Sequence, residues 1–190
     1  MKLAAKVKLL PIDRKALIQT LERANEACNW ISEMAWQHQN FKQPSLHKVV
    51  YYEVRQRFEL TAQMAVRAIA KVVDAYKVDK RVMRIFRKHG AFPYDDRILS
   101  WNIKARTVSI WTVNGRKTMA YQSGPRQDVL LANRQGESDL VYHRGQFYLA
   151  ATCNADNPAP SDVDDFLGVD LGIANIASDS DGKRYSGSEV

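Results

Sequence analysis

The hydrophobic period of this chain changes twice, and that change limits the fold more than any single residue does. Residues 2–10 alternate, with Leu3, Ala5, Val7 and Leu9 on one side and Lys2, Lys6 and Lys8 on the other. Period two is the mark of a strand with one buried face. After Asp13, which can cap a helix, Leu17, Leu21, Ala24, Cys28, Ile31 and Ala35 recur at steps of three and four, one apolar helix stripe. Phe41 to Pro44 interrupts it, Ser45 is placed to cap a second helix carrying Tyr51, Val54 and Phe58, and Thr61 a third carrying Ala65, Ala68, Val72 and Tyr76. The alanine-rich seams suggest closely packed helices, and Gly90 and Pro93 end the helical region.

From residue 98 to 153 the period returns to two. Val108–Val113 and Arg116–Tyr121 flank Asn114-Gly115, a strong hairpin signal. Val129–Ala132, Leu140–His143 and Gln146–Thr152 read as further strands, with Gly136 and Gly145 in the turns between them. Together with residues 2–10 these strands can close a small barrel. The expected architecture is therefore α+β: a helical block, 11–90, inserted into a β-barrel made of 1–10 and 91–153. Trp101 and Trp111 read as barrel core rather than as base-stacking platforms. Residues 154–165, rich in Pro, Ala, Asp and Ser, read as a linker.

Beyond the linker, Leu167, Val169, Leu171 and Ile173 fall on one face of an expected strand, and Gly168, Asp170 and Gly172 on the other. Asp is depleted from strands. One carboxylate between two glycines leaves room for a metal ion or a phosphate to approach. Asp179-Ser180-Asp181-Gly182 reads as a turn, so a second strand returns antiparallel and a third starts at Lys183-Arg184-Tyr185.

Charge is distributed unevenly. Residues 1–90 hold 18 Lys/Arg and 8 Asp/Glu, a net +10, whereas residues 91–190 hold 10 and 13, a net −3. A basic N-terminal half suits a polyanionic partner. Lys77, Lys80, Arg81, Arg84, Arg87 and Lys88 are spaced to form one cationic stripe on the end of the third helix. Such a stripe either complements the helix C-terminus or contacts phosphates, positioning a nucleic acid without reading its sequence.

Cys28 and Cys153 stand far apart with no Cys-x-x-Cys pair, and His38, His47, His89 and His143 show no ligand spacing. Neither a disulfide framework nor a zinc site is expected. Residues 1–10 contain no apolar signal core, and no stretch has the length of a membrane span, so an intracellular, cytoplasmic protein with no membrane partner is expected.

The tract Gly168-Val169-Asp170-Leu171-Gly172, with Asn175 and the Asp181-Gly182 turn, resembles the first motif of RuvC-type nucleases of the RNase H fold. It also looks like the first phosphate loop of the actin, sugar-kinase and chaperone ATPase superfamily. In that superfamily the loop lies near the N-terminus; here about 165 residues precede it. With Phe92-Pro93-Tyr94-Asp95-Asp96-Arg97-Ile98-Leu99-Ser100-Trp101 and the strand-rich segment upstream, the chain is similar to the TnpB/OrfB family, transposon-encoded RNA-guided DNA nucleases related to the miniature type V CRISPR effectors.

That resemblance implies a wedge-like barrel interrupted by a recognition-like helical domain, then an incomplete RuvC-like start at 166–190. It implies guide RNA and DNA as partners. It makes Asp170 a catalytic ligand to Mg²⁺ or Mn²⁺ in the complete protein, with Asn175 organising the backbone or the ligand sphere. The family's further Glu and Asp have no counterpart among residues 171–190, so the chain alone is expected not to cleave DNA. A non-catalytic nucleic-acid-binding remnant and an ATP-binding protein of the actin type are the alternatives.

Overall fold

The computed structural model describes residues 1–157, 166–172 and 175–186. They fall into two compact units, Met1–Asp156 and Asn157–Val190.

The first unit begins with β1 (Lys2–Leu10), in which Ala5, Val7 and Leu9 are buried and Lys2 and Lys6 exposed. Three helices follow: α1 (Arg14–Gln37), α2 (Gln43–Phe58) and α3 (Ala62–Val78). Asp13 caps α1 by accepting the Ala16 N–H at 3.0 Å. Leu17, Leu21, Ala24, Cys28, Ile31 and Ala35 are all buried, as are Ala65, Ala68, Val72 and Tyr76 of α3, so the apolar stripes are the packing faces. Fully burying each Leu or Ile contributes about 1.5–3 kcal/mol.

The rest of the unit is β2 (Phe92–Tyr94), β3 (Leu99–Asn102), β4 (Thr107–Thr112), β5 (Gly115–Gln122), α4 (Pro125–Ala132), β6 (Arg134–His143) and β7 (Gln146–Asn154). With β1 the strands form one antiparallel sheet in the order β2-β6-β7-β1-β5-β4-β3. The sheet is nearly closed into a barrel. Its two outer strands, β2 and β3, are joined by the short 95–98 turn. Tyr94 Oη donates to Trp111 O at 3.0 Å, and Trp111 N–H to Ile98 O at 2.9 Å. The helical block thus enters after the first strand. It shares a continuous core with the sheet, in which Leu17, Leu21 and Tyr76 join Phe92, Phe147 and Leu149. No helix among the described residues is long and apolar enough to cross a membrane.

Four local expectations are corrected. α3 ends at Val78, so of the six cations only Lys77 is helical; Lys80, Arg81, Arg84, Arg87 and Lys88 lie in a non-helical segment. Val129–Ala132 belongs to α4 rather than to a strand. Pro125 opens that helix, Gln127 Oε1 accepts the Gly124 N–H at 3.1 Å, and Leu131 is buried; Pro at the first helical position gives up no intrahelical bond. α2 starts at Gln43, with Pro44 in its first turn, before Ser45. Gly136, at φ +80°, lies within β6 where the β6–β7 register shifts, rather than in a turn between strands.

The second unit contains β8 (Val169–Asp170), β9 (Asn175–Asp179) and β10 (Arg184–Ser186), antiparallel in the order β10-β9-β8. The turn falls at 180–182 with Gly182 at φ +84°, a conformation that favours glycine. β8 is shorter than the alternation from Leu167 to Ile173 suggests; Ile173 lies outside the described residues. Leu167, Val169 and Leu171 are exposed, at 59, 55 and 75 %.

Candidate functional site

Residues 79–90 owe their non-helical course to α1. Asn25, Asn29 and Ser32 recur at steps of four and three along that helix and form a polar seam beside its apolar stripe. Asn25 Nδ2 donates to Gly90 O at 2.8 Å. Asn29 Nδ2 donates to Phe86 O at 3.0 Å while its Oδ1 accepts the Phe86 N–H at 2.7 Å. Ser32 Oγ donates to Arg84 O at 2.6 Å. The seam satisfies backbone groups that a helix would otherwise pair internally. Lys71, its charge disfavoured by burial so that its pKa is lowered, donates to Asn25 Oδ1 at 2.6 Å and to Ala91 O at 2.7 Å.

This course scatters the cationic stripe and engages most of it. Lys77 pairs with Asp74 at 2.7 Å, Arg81 and Arg84 with Asp79 at 3.1 and 3.3 Å, and Lys88 with Glu22 at 3.1 Å. Asp79 is held below the usual carboxylate range by the Arg81 N–H and then by the Arg81 side chain. Glu22 is lowered by its hydrogen bond to His89 and then by Lys88. Lys80 and Arg87 are exposed and, among the described residues, have no ion pair. Two cations rather than six thus remain uncommitted for a polyanion.

In the second unit Asp170 is exposed and lies opposite Ser178 on β9, which in turn lies opposite Arg184 on β10. Directly opposed residues project to the same face, so Asp170, Ser178 and Arg184 form one row across the three strands. Asp179 pairs with Val169 and belongs to the other face, and its carboxylate accepts the Lys183 N–H at 2.8 Å and Tyr185 Oη at 3.4 Å. A hollow of about 420 Å³ is lined by Gly168, Asp170, Ser178 and Ser180 together with Val169 and Asp179. Asn175 begins β9 three residues before Ser178 and is not brought beside Asp170.

The glycines differ in what they permit. A methyl on Gly168 would meet Ser180 at ordinary contact, 3.7 Å, whereas one on Gly172 would lie 3.2 Å from the Asn175 carbonyl oxygen. Of these two, Gly172 is the one whose neighbour would have to shift to admit a side chain. One carboxylate with one hydroxyl, Ser178, in its row supplies part of a hard-cation shell, not all of it. No group of three His, Cys, Asp or Glu placed to share a metal occurs among the described residues.

Ser178 and Arg184 were not among the residues singled out by sequence. The signal for them is the alternation on either side of the 180–182 turn, which places them on the Asp170 face once the register is known. Cys28 and Cys153 are buried free thiols. No protein-family model matches the chain, and no curated protein matches it.

Proposed function

We propose that this chain is the nucleic-acid-binding N-terminal part of an RNA-guided DNA endonuclease of the TnpB/OrfB type, engaging guide RNA and target DNA. The observation that carries the reading is the order of parts. A helical block enters a nearly closed barrel after its first strand, and a three-stranded antiparallel unit follows with Asp170 exposed on its first strand. Residues 1–90 supply the basic charge.

In the complete protein Asp170 would be one ligand of Mg²⁺ or Mn²⁺, which activates water and stabilises the leaving oxygen in phosphodiester hydrolysis. This chain by itself binds nucleic acid without cutting it. The lone carboxylate in the Asp170 row favours that non-catalytic reading.

Equilibrium binding of a structured RNA, followed against salt with ATP assayed in parallel, tests the proposal. Steeply salt-dependent RNA binding without ATP binding is expected. Measurable ATP binding would favour an actin-type loop, and absence of RNA binding would remove the proposal.

A further inference from the structure

A hollow of about 360 Å³ lies between α1, the end of α2 and residues 83–85. Its floor is aromatic: Trp30 and the buried Phe58 meet with ring centroids 6.1 Å apart. Met83 and Ile85 form the far wall and are 42 and 79 % exposed. That wall is set before anything binds, because Ser32 holds the Arg84 backbone and Asn29 the Phe86 backbone. A second hollow, of about 460 Å³, shares Glu26 and Asn29 and carries the trough on toward Glu22 and Lys88.

The near wall belongs to α1. Glu26, Trp30 and Glu33 follow one another at steps of four and three, so the helix sets the ring between two carboxylates on one side of its axis. Both carboxylates belong to exposed residues, and about 10 Å of helix rise separates them.

Charge along the trough is unbalanced. Arg84 is turned to Asp79, and Lys88 and His89 are engaged by Glu22. Among the described residues neither Glu26 nor Glu33 has an ion pair; Glu33 accepts a hydrogen bond from the Gln37 amide at 3.2 Å. Arg57 is also without an ion pair among them. Its guanidinium lies over the Trp30 and Phe58 rings, 5.7 and 5.6 Å from their centres, so it closes one edge of the aromatic floor instead of neutralising the acids.

We propose that this trough docks a basic amphipathic helix of a protein partner. One apolar side chain of that helix would sit on Trp30 against Met83 and Ile85, with a Lys or Arg on either side reaching Glu26 and Glu33. Cations at i and i+7 of a helix have the same axial spacing as these two carboxylates, and residues i+3 and i+4 then fall over Trp30. A Trp at the centre of a preformed groove is the kind of residue that dominates a protein interface. Arg57 matches the unpaired carbonyls at the partner helix's C-terminus. The two uncompensated carboxylates repel a phosphate backbone, so this face suits a partner other than a nucleic acid. The site uses neither Asp170 nor Lys80 and Arg87, and it stands apart from the reading above.

The test is fluorescence anisotropy of the full chain with a labelled, alanine-based helical peptide of about fifteen residues. The peptide carries Lys at i and i+7 and Leu at i+3 and i+4. Glu26→Gln/Glu33→Gln and Ile85→Ser change only exposed residues, and thermal melting checks that each variant is folded. The double variant is expected to bind the peptide about five- to tenfold more weakly, for two exposed ion pairs lost. Ile85→Ser is expected to weaken binding about tenfold, for one Ile partly buried on docking. Glu53→Gln, at an exposed acid of α2 outside the trough, is expected to leave the affinity unchanged.

Failure of the peptide to bind, or unchanged affinity in both trough variants, would overturn the proposal whatever the chain does with RNA. Equal binding of a control peptide with Glu in place of both Lys would also overturn it, since the carboxylates would then select nothing. So would a loss in Glu53→Gln as large as in the double variant, which would reduce the effect to net charge.

Discussion

Arg84 donates twice to the backbone carbonyl of Asp79, from Nε at 3.0 Å and from Nη2 at 2.7 Å, and its guanidinium also pairs with the Asp79 carboxylate. It therefore folds the turn that follows α3 instead of projecting a charge to solvent. Lys80 and Arg87, a few residues away, carry no such commitment.

That contrast separates two kinds of substitution. Arg84→Ala is expected to cost about 1–3 kcal/mol, since a part-buried, charge-assisted set of hydrogen bonds is lost. Lys80→Gln/Arg87→Gln is expected to leave stability within about 0.5 kcal/mol while flattening the salt dependence of binding to a structured RNA. Urea unfolding and RNA binding on the same three proteins check both.

The α1 seam makes a kinetic prediction. Asn29 both donates to and accepts from the Phe86 backbone, so Asn29→Ala strands two backbone groups at once. It is expected to destabilise the first unit by about 1–3 kcal/mol and to accelerate hydrogen exchange at the Phe86 amide well beyond that of β7 amides. Asn29→Asp, which keeps the acceptor, is expected to preserve more of the Phe86 protection.

Alkaline pH should expose the burial of Cys28. Burial pushes its thiol up to about 12 from an ordinary 9.0, so between those values the folded state keeps a proton that the unfolded chain has released. The stability linked to this group is complete below pH 9 and is lost as pH rises toward 12, by about 1.4 kcal/mol per pH unit. Lys71 acts in the opposite sense: its pKa is lowered by burial, so its penalty is relieved as pH rises through its folded value toward 10.5. Tyr94, raised by burial, adds to the alkaline loss. Comparing wild type with Cys28→Ala by denaturant unfolding from pH 8 to 11 cancels the Tyr94 contribution. The advantage of wild type over the variant is expected to narrow steadily above pH 9.

Asp170 should matter for a metal and not for folding. It is exposed, and its described neighbours in the row are Ser178 and Arg184. Asp170→Ala is expected to leave the unfolding midpoint of the first unit unchanged and to remove weak Mn²⁺-induced broadening of the Ser178 amide signal in NMR. Broadening that persists in the variant would move the ligand elsewhere.

The elements fixed by periodicity were legible in the sequence. The α1 stripe from Leu17 to Ala35, the alternation of β1 and the Asn114-Gly115 hairpin each state their burial locally. Residues 79–90 were not legible, because Lys and Arg are good helix formers and their spacing fits a helix. What prevents the helix is Asn25, Asn29 and Ser32, some 50 to 65 residues away in the chain. α4 was missed for a related reason: Val129–Ala132 is a short apolar run that periodicity alone cannot assign, and Gly124-Pro125 is the cue that resolves it. At the candidate site Asp170 stood out by composition, whereas Ser178 and Arg184 depend on a strand register set by the 180–182 turn.

The most direct test is to purify the chain from expressing cells without nuclease treatment and to sequence whatever RNA comes with it. A discrete RNA species, retained by Asp170→Ala and released by salt, is the result the account predicts. A preparation free of RNA, or one carrying only bulk cellular RNA in proportion to its abundance, would contradict it.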